Sequence, residues 1–207
     1  AGAKGIGVGG THGASISNNT IDGTWASAIM AKSDYAGGHI QPVNTRITGN
    51  TIRRTFQNYG EGKYRKRHIV SETGGVYAII ECHSGGDSEI RANNIEDRSG
   101  LHSHYRALWL SSPRLNISGN DILTDGEVAM VIGSDSPDNT KNVDYVNMTG
   151  NKVVISRGKG YQMLSLFGVA GGVIENNHFN CGGQGLSSPR GRFLVTHWAT
   201  NILFKIY

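Results

Sequence analysis

Six times along the chain the same spacing of apolar and polar residues returns: an aliphatic residue, two further residues, Asn, one residue, an apolar residue. The segments begin at Ile16, Ile47, Ile90, Ile117, Met148 and Ile174, and the Asn residues are Asn19, Asn50, Asn93, Asn120, Asn151 and Asn177. The starts lie 31, 43, 27, 31 and 26 residues apart, a period that belongs to repeat architectures. Within each segment the two apolar residues are five positions apart. On one straight strand they would face opposite sides, so both enter one core only if the chain bends between them. The third position of each segment, where that bend falls, is Asn18, Gly49, Ala92, Gly119, Gly150 and Asn176. Five of these six are residue types that tolerate left-handed backbone angles. Each segment therefore predicts strand, sharp corner, strand. The Asn after the corner is expected to stack on its counterparts and satisfy buried polar groups.

A further strand is predicted farther along each repeat. Its members are Ser27–Met30, Val76–Ile80, Ala107–Leu110, Val128–Ile132, Met163–Leu166 and Arg192–Val195. No segment sustains helical apolar spacing, and Gly interrupts every helical candidate. The expected architecture is all-β: a single-stranded right-handed parallel β-helix of about six to seven rungs, spanning 1–207 as one domain. Residues 56–75 form a long basic loop insertion in one rung. The Gly-rich start and the apolar run Asn201–Tyr207 suggest a fragment of a longer chain, left uncapped at both ends.

Composition changes this picture little. The 207 residues include 30 Gly, about twice the usual share, and 17 Asn. The net charge of +4 is local, because between Arg53 and Glu72 six basic residues face two acids. One basic loop on a neutral body is a poor nucleic-acid footprint, so no nucleic-acid partner is expected. No apolar run is long enough to span a membrane, and no membrane partner is expected. Cys82 and Cys181 fall four rungs apart, beyond disulfide reach, so both are expected as free thiols. The sequons at Asn18, Asn116 and Asn147 are read as by-products of the repeat.

The kinked Asn-bearing rungs resemble the right-handed parallel β-helix of the pectin-lyase-like superfamily, over about Ala14 to Ile206. Among its branches the chain looks most like a bacteriophage tailspike, or polysaccharide depolymerase. That resemblance implies a homotrimer on the virion tail, assembled in the host cytoplasm, that binds and cleaves bacterial capsule or O-antigen polysaccharide. An extracellular or cell-surface location is the alternative. The alternative functions are a polysaccharide lyase and a non-catalytic adhesin or fibre shaft. The aspartate-proline-histidine signature of alginate epimerases and the aspartate-rich calcium site of pectate lyases are both missing.

Hydrolysis of a glycosidic bond needs two carboxyls, about 5–5.5 Å apart for retention or 6.5–9.5 Å for inversion. Taking Ile80, Leu110 and Ile132 as equivalent inward positions aligns Ile79, Trp109 and Val131 on the outer face. Glu81, Ser111 and Gly133 form the next column, and His83, Pro113 and Asp135 the one after. Glu81 and Asp135 then fall two rungs apart as an inverting pair with Trp109 as sugar platform, and Glu127 is the reserve acid. Tyr77, His83, His104, Tyr105 and Arg106 are expected to line the groove with Trp109. At the first corner, Asp22, Arg53 and Glu96 form an alternating-charge file, and Arg54 is expected opposite Asp97. His102 and His104 match no known ligand spacing, so no metal and no cofactor are expected.

Overall fold

All six corner residues adopt left-handed backbone angles, with φ of 56° at Asn18, 66° at Gly49, 51° at Ala92, 61° at Gly119, 64° at Gly150 and 55° at Asn176. Each corner turns one strand into the next, and every rung closes with a third strand. The computed structural model describes residues 5–24, 27–32, 42–55, 77–97, 105–126, 128–133, 143–156, 162–180, 192–197 and 199–205. The basic insertion at 56–75 lies outside these, as does Cys181.

Three parallel sheets run the length of the molecule. The first contains Ile6–Val8, Ile29–Ala31, Tyr77–His83, Tyr105–Ser111, Val128–Gly133, Gln162–Phe167 and Arg192–His197. The second is built from Ser15–Ser17, Thr45–Thr48, Ser88–Arg91, Arg114–Ser118, Tyr145–Thr149, Gly172–Glu175 and Ile202–Lys205. The third holds Thr20–Asp22, Thr51–Arg53, Asn94–Asp97, Asp121–Thr124, Lys152–Ile155 and His178–Asn180. Strands adjacent in each sheet come from successive rungs, so the chain is an all-β parallel solenoid. Ile6–Val8 was not foreseen as a strand; its alternating Ile and Val sit within a Gly-rich run.

The six repeats are in register. Ile16, Ile47, Ile90, Ile117, Met148 and Ile174 pair in one file, and Ile21, Ile52, Ile95, Ile122, Val153 and Phe179 in another. Nearly all of these side chains are excluded from solvent, and burying each contributes about 1.5–3 kcal/mol.

Between the two files runs the asparagine ladder. From Asn50 to Asn177 each Asn side-chain oxygen accepts twice from the preceding rung. Asn50 Oδ1, for instance, takes the backbone N–H and the Nδ2 of Asn19, both at 3.0 Å. The same pair of hydrogen bonds links Asn50 to Asn93, Asn93 to Asn120, Asn120 to Asn151 and Asn151 to Asn177. From Asn50 onward each Nδ2 also donates backwards, to the carbonyl oxygens of Ile16, Ile47, Ile90, Ile117 and Met148 in turn. One side chain thus ties three rungs together and leaves no amide hydrogen buried unpaired.

Ala92 is the one corner residue with a Cβ and no side-chain polar group. An L-residue in the left-handed region costs roughly 1–2 kcal/mol, and Ala92 is exposed, so nothing packs on its methyl group. The Ala92→Gly variant is expected to gain about 1 kcal/mol of stability, read as a higher urea midpoint at unchanged slope. An unchanged or lower midpoint would show that this corner carries no strain.

The first corner departs from the expected pairing. Asp22, Arg53 and Glu96 do share a column. Arg54, however, does not meet Asp97. Its φ of 48° turns the side chain back to Asp22, which it grips with two hydrogen bonds of 2.6 Å. Asp97 is buried and accepts from the Thr55 hydroxyl. Counting positions assumed that the strand continues through residue 54, and the left-handed angle there ends it.

Candidate functional site on the first sheet

In the first sheet Ile29, Ile80, Leu108, Met130 and Leu164 form one inward file, and Ala31, Cys82, Leu110, Ile132 and Leu166 the next. This corrects the expected register. Leu110 and Ile132 pair with Cys82 rather than Ile80, which moves Glu81 two positions along. Cys82 Sγ lies 3.9 Å from Ser88 Oγ, and the thiol is fully buried. Burial pushes its pKa up to about 12 and keeps it as an uncharged small hydrophobe. The stretch between the first and second sheets differs in length from rung to rung, so counting cannot locate this register.

The outer face now reads differently. Met30, Glu81, Trp109, Val131 and Ser165 make one column, and His83, Ser111, Gly133 and Phe167 the next. Glu81 is therefore the immediate neighbour of Trp109. This face is also covered: Ile79, Ala107, Ala129 and Met163, all of outward parity, are as inaccessible as the inner file.

A polar cluster is set into this covered face. Lys32 Nζ donates to Glu81 Oε1 at 2.8 Å, and His83 Nε2 lies 3.3 Å from the same oxygen. The Glu81 side chain is 3% exposed, and its second oxygen, Oε2, is buried without a hydrogen-bond partner among the described residues. Burial is the largest single influence on this carboxyl and pushes its pKa up. The hydrogen bond from His83 and the charge of Lys32 together outweigh it, so Glu81 is held below the ordinary value of 4.5. Around it, the His83 ring meets Trp109 edge-on at 4.9 Å and 87°. The Arg106 guanidinium lies 4.3 Å from the Trp109 ring centroid, and Trp109 Nε1 donates to the Gly133 carbonyl at 3.1 Å.

Of the sequence-derived site residues, Glu81, His83, Arg106 and Trp109 are thus brought together. Asp135, Glu127 and His104 lie outside the described residues, as do the side chains of Tyr77 and Tyr105. The strand that leads to Asp135, Val128–Gly133, is two strands from that of Glu81. Lys32 was missed. It follows directly on the strand Ile29–Ala31 and sits on the rung before Glu81, a proximity visible only once the register is known.

An ionised, water-excluded carboxylate with one oxygen unengaged is suited to accept a proton or orient a water, not to donate a proton. Among the described residues no group of three or more His, Cys, Asp and Glu could hold a metal ion. No helix of the described residues is long and apolar enough to cross a membrane. Compared with known protein families, curated proteins and solved structures, the chain shows no significant match.

Proposed function

We propose that this β-helix binds and cleaves an extended polysaccharide of the bacterial surface, as a tailspike-type depolymerase, by hydrolysis at the Glu81 cluster. The observation that carries the reading is the unpartnered Oε2 of an ionised Glu81 in the same column as Trp109. Glu81 then acts as the base that draws a proton from the attacking water. Trp109, half-buried with Arg106 over one face of its ring, offers a sugar the other face, and His83 at its edge fixes the orientation. The acid that protonates the leaving oxygen is taken to be Asp135, with Glu127 in reserve, both outside the described residues; the stereochemistry of the product, inverted or retained, reports their separation from Glu81.

A second reading is favoured by a specific contact. The 2.8 Å ion pair to Lys32 also fits a purely structural carboxylate in a non-catalytic fibre shaft or adhesin. Incubating the protein with purified capsular and O-antigen polysaccharides separates the readings. New reducing ends without ultraviolet absorbance are expected. An unsaturated, absorbing product would replace hydrolysis with elimination, and binding with neither product would leave the adhesin. The homotrimer and virion-tail location belong to the same proposal, and sedimentation at micromolar concentration tests the trimer.

A further inference from the structure

The outer face of the second sheet differs from that of the first: it is open and polar. The residue just before each repeat's first apolar position points outward there, giving a file that is polar from Ser15 through Arg46, Glu89, Asn116 and Asn147 and apolar beyond, at Val173 and Leu203. Beside this file runs a groove of about 650 Å³, whose lining also includes Asp87, Arg114 and Tyr145. Arg114 and Tyr145 are paired on successive rungs, and the Tyr145 side chain is left 45% exposed.

We infer that this groove is a second saccharide-binding site, distinct from the Glu81 cluster, and that it takes an extended neutral glycan. Three features carry the assignment. Asn116 and Asn147 stand one rung apart on adjacent strands, and each amide offers both donors and an acceptor, which suits pairs of neighbouring sugar hydroxyls. The rung spacing of about 4.8 Å approximates one sugar unit of an extended chain, so successive rungs can meet successive sugars. Tyr145 adds an exposed aromatic ring beside them.

The charges decide between neutral and acidic ligands. Arg114 is held by Asp87 through two hydrogen bonds of 2.9 Å, and Arg46 and Arg91 lie 3.7 and 3.8 Å from Glu89. Asp144 also acts on Arg114. Within the lining Arg46 and Arg114 thus face Asp87 and Glu89, and the floor has no surplus positive charge to attract a uronate chain. The groove holds the polymer while cleavage takes place on the neighbouring sheet. It stands whether or not Glu81 is catalytic.

Affinity electrophoresis in gels containing dextran, mannan, galactan or polygalacturonate, followed by titration with hexasaccharides of any retarding polymer, tests this. At least one neutral glycan is expected to retard the protein and polygalacturonate none. Asn116→Ala and Tyr145→Ala should each weaken that binding about tenfold, while Glu81→Gln leaves it unchanged. Retardation by none of the neutral glycans, or by polygalacturonate alone, would overturn the assignment. Loss of binding in Glu81→Gln but not in Tyr145→Ala would move the glycan to the first sheet. A change of sedimentation coefficient in Tyr145→Ala, without loss of binding, would make the groove a contact between copies of the chain.

Discussion

Replacing Asn120 by Ala is expected to lower the unfolding free energy by about 2–4 kcal/mol, a large effect for a polar residue. Asn120 is 1% exposed and sits mid-ladder, with partners on both sides. Its Oδ1 accepts from Asn93 N and Nδ2, and its Nδ2 donates to Ile90 O and Asn151 Oδ1. Truncation leaves the Asn93 backbone N–H without its acceptor in a region that water does not reach. Asn116→Ala, four residues away on an exposed position of the same rung, is the control and should stay within about 0.5 kcal/mol.

The Asn120→Asp variant sharpens the argument. It keeps the shape but turns an oxygen toward Ile90 O and Asn151 Oδ1, two acceptors. Such a carboxyl has its folded-state pKa raised, so its penalty is complete above that value and fades as the pH falls toward the unfolded value. Urea unfolding at neutral and acid pH reads both effects. Equal midpoints for Asn120→Ala and Asn116→Ala would show that the ladder aligns the rungs without stabilising them.

Glu81→Gln is expected to reduce turnover about 1,000-fold while leaving polysaccharide binding intact, the usual scale for loss of a positioned general base. The substitution also removes the charge that Lys32 Nζ pairs with at 2.8 Å, so lost stability must be separated from lost chemistry. The double variant Lys32→Met, Glu81→Gln removes both charges of the pair. It should regain stability without regaining turnover, and full activity in that variant would remove Glu81 from the reaction. The acid limb of the pH–rate profile should fall below 4.5, because the folded protein holds Glu81 ionised. The stability contribution carries the same sign. A carboxyl whose folded pKa is depressed stabilises above the unfolded value and loses that contribution as the pH falls through the folded one.

The two proposed sites were unequally legible. The groove residues Arg46, Glu89, Asn116 and Asn147 stand one residue before the segments that begin at Ile47, Ile90, Ile117 and Met148, so the alignment of the repeats also aligns them. In the first sheet Glu81, His83, Arg106 and Trp109 stand close together, with Glu81 two positions from where counting back from Ile80 puts it. Nothing local decides whether Ile80 or Cys82 pairs with Leu110, since both are apolar and both point inward.

The sequence by itself determined the solenoid. An odd spacing of two buried residues forces a bend, the bend needs left-handed angles, and a buried amide after it must find partners in the rungs above and below. All three demands act within six residues, so they survive without knowledge of the rest of the chain. Only the tertiary structure decided which side chains stand over one another in the first sheet. That register depends on how stretches of unequal length close each rung, a balance of packing over whole turns. The ion pair of Lys32 with Glu81 and the return of Arg54 to Asp22 are consequences of that closure and of a single backbone angle. Neither leaves a trace in the spacing of the residues that make it.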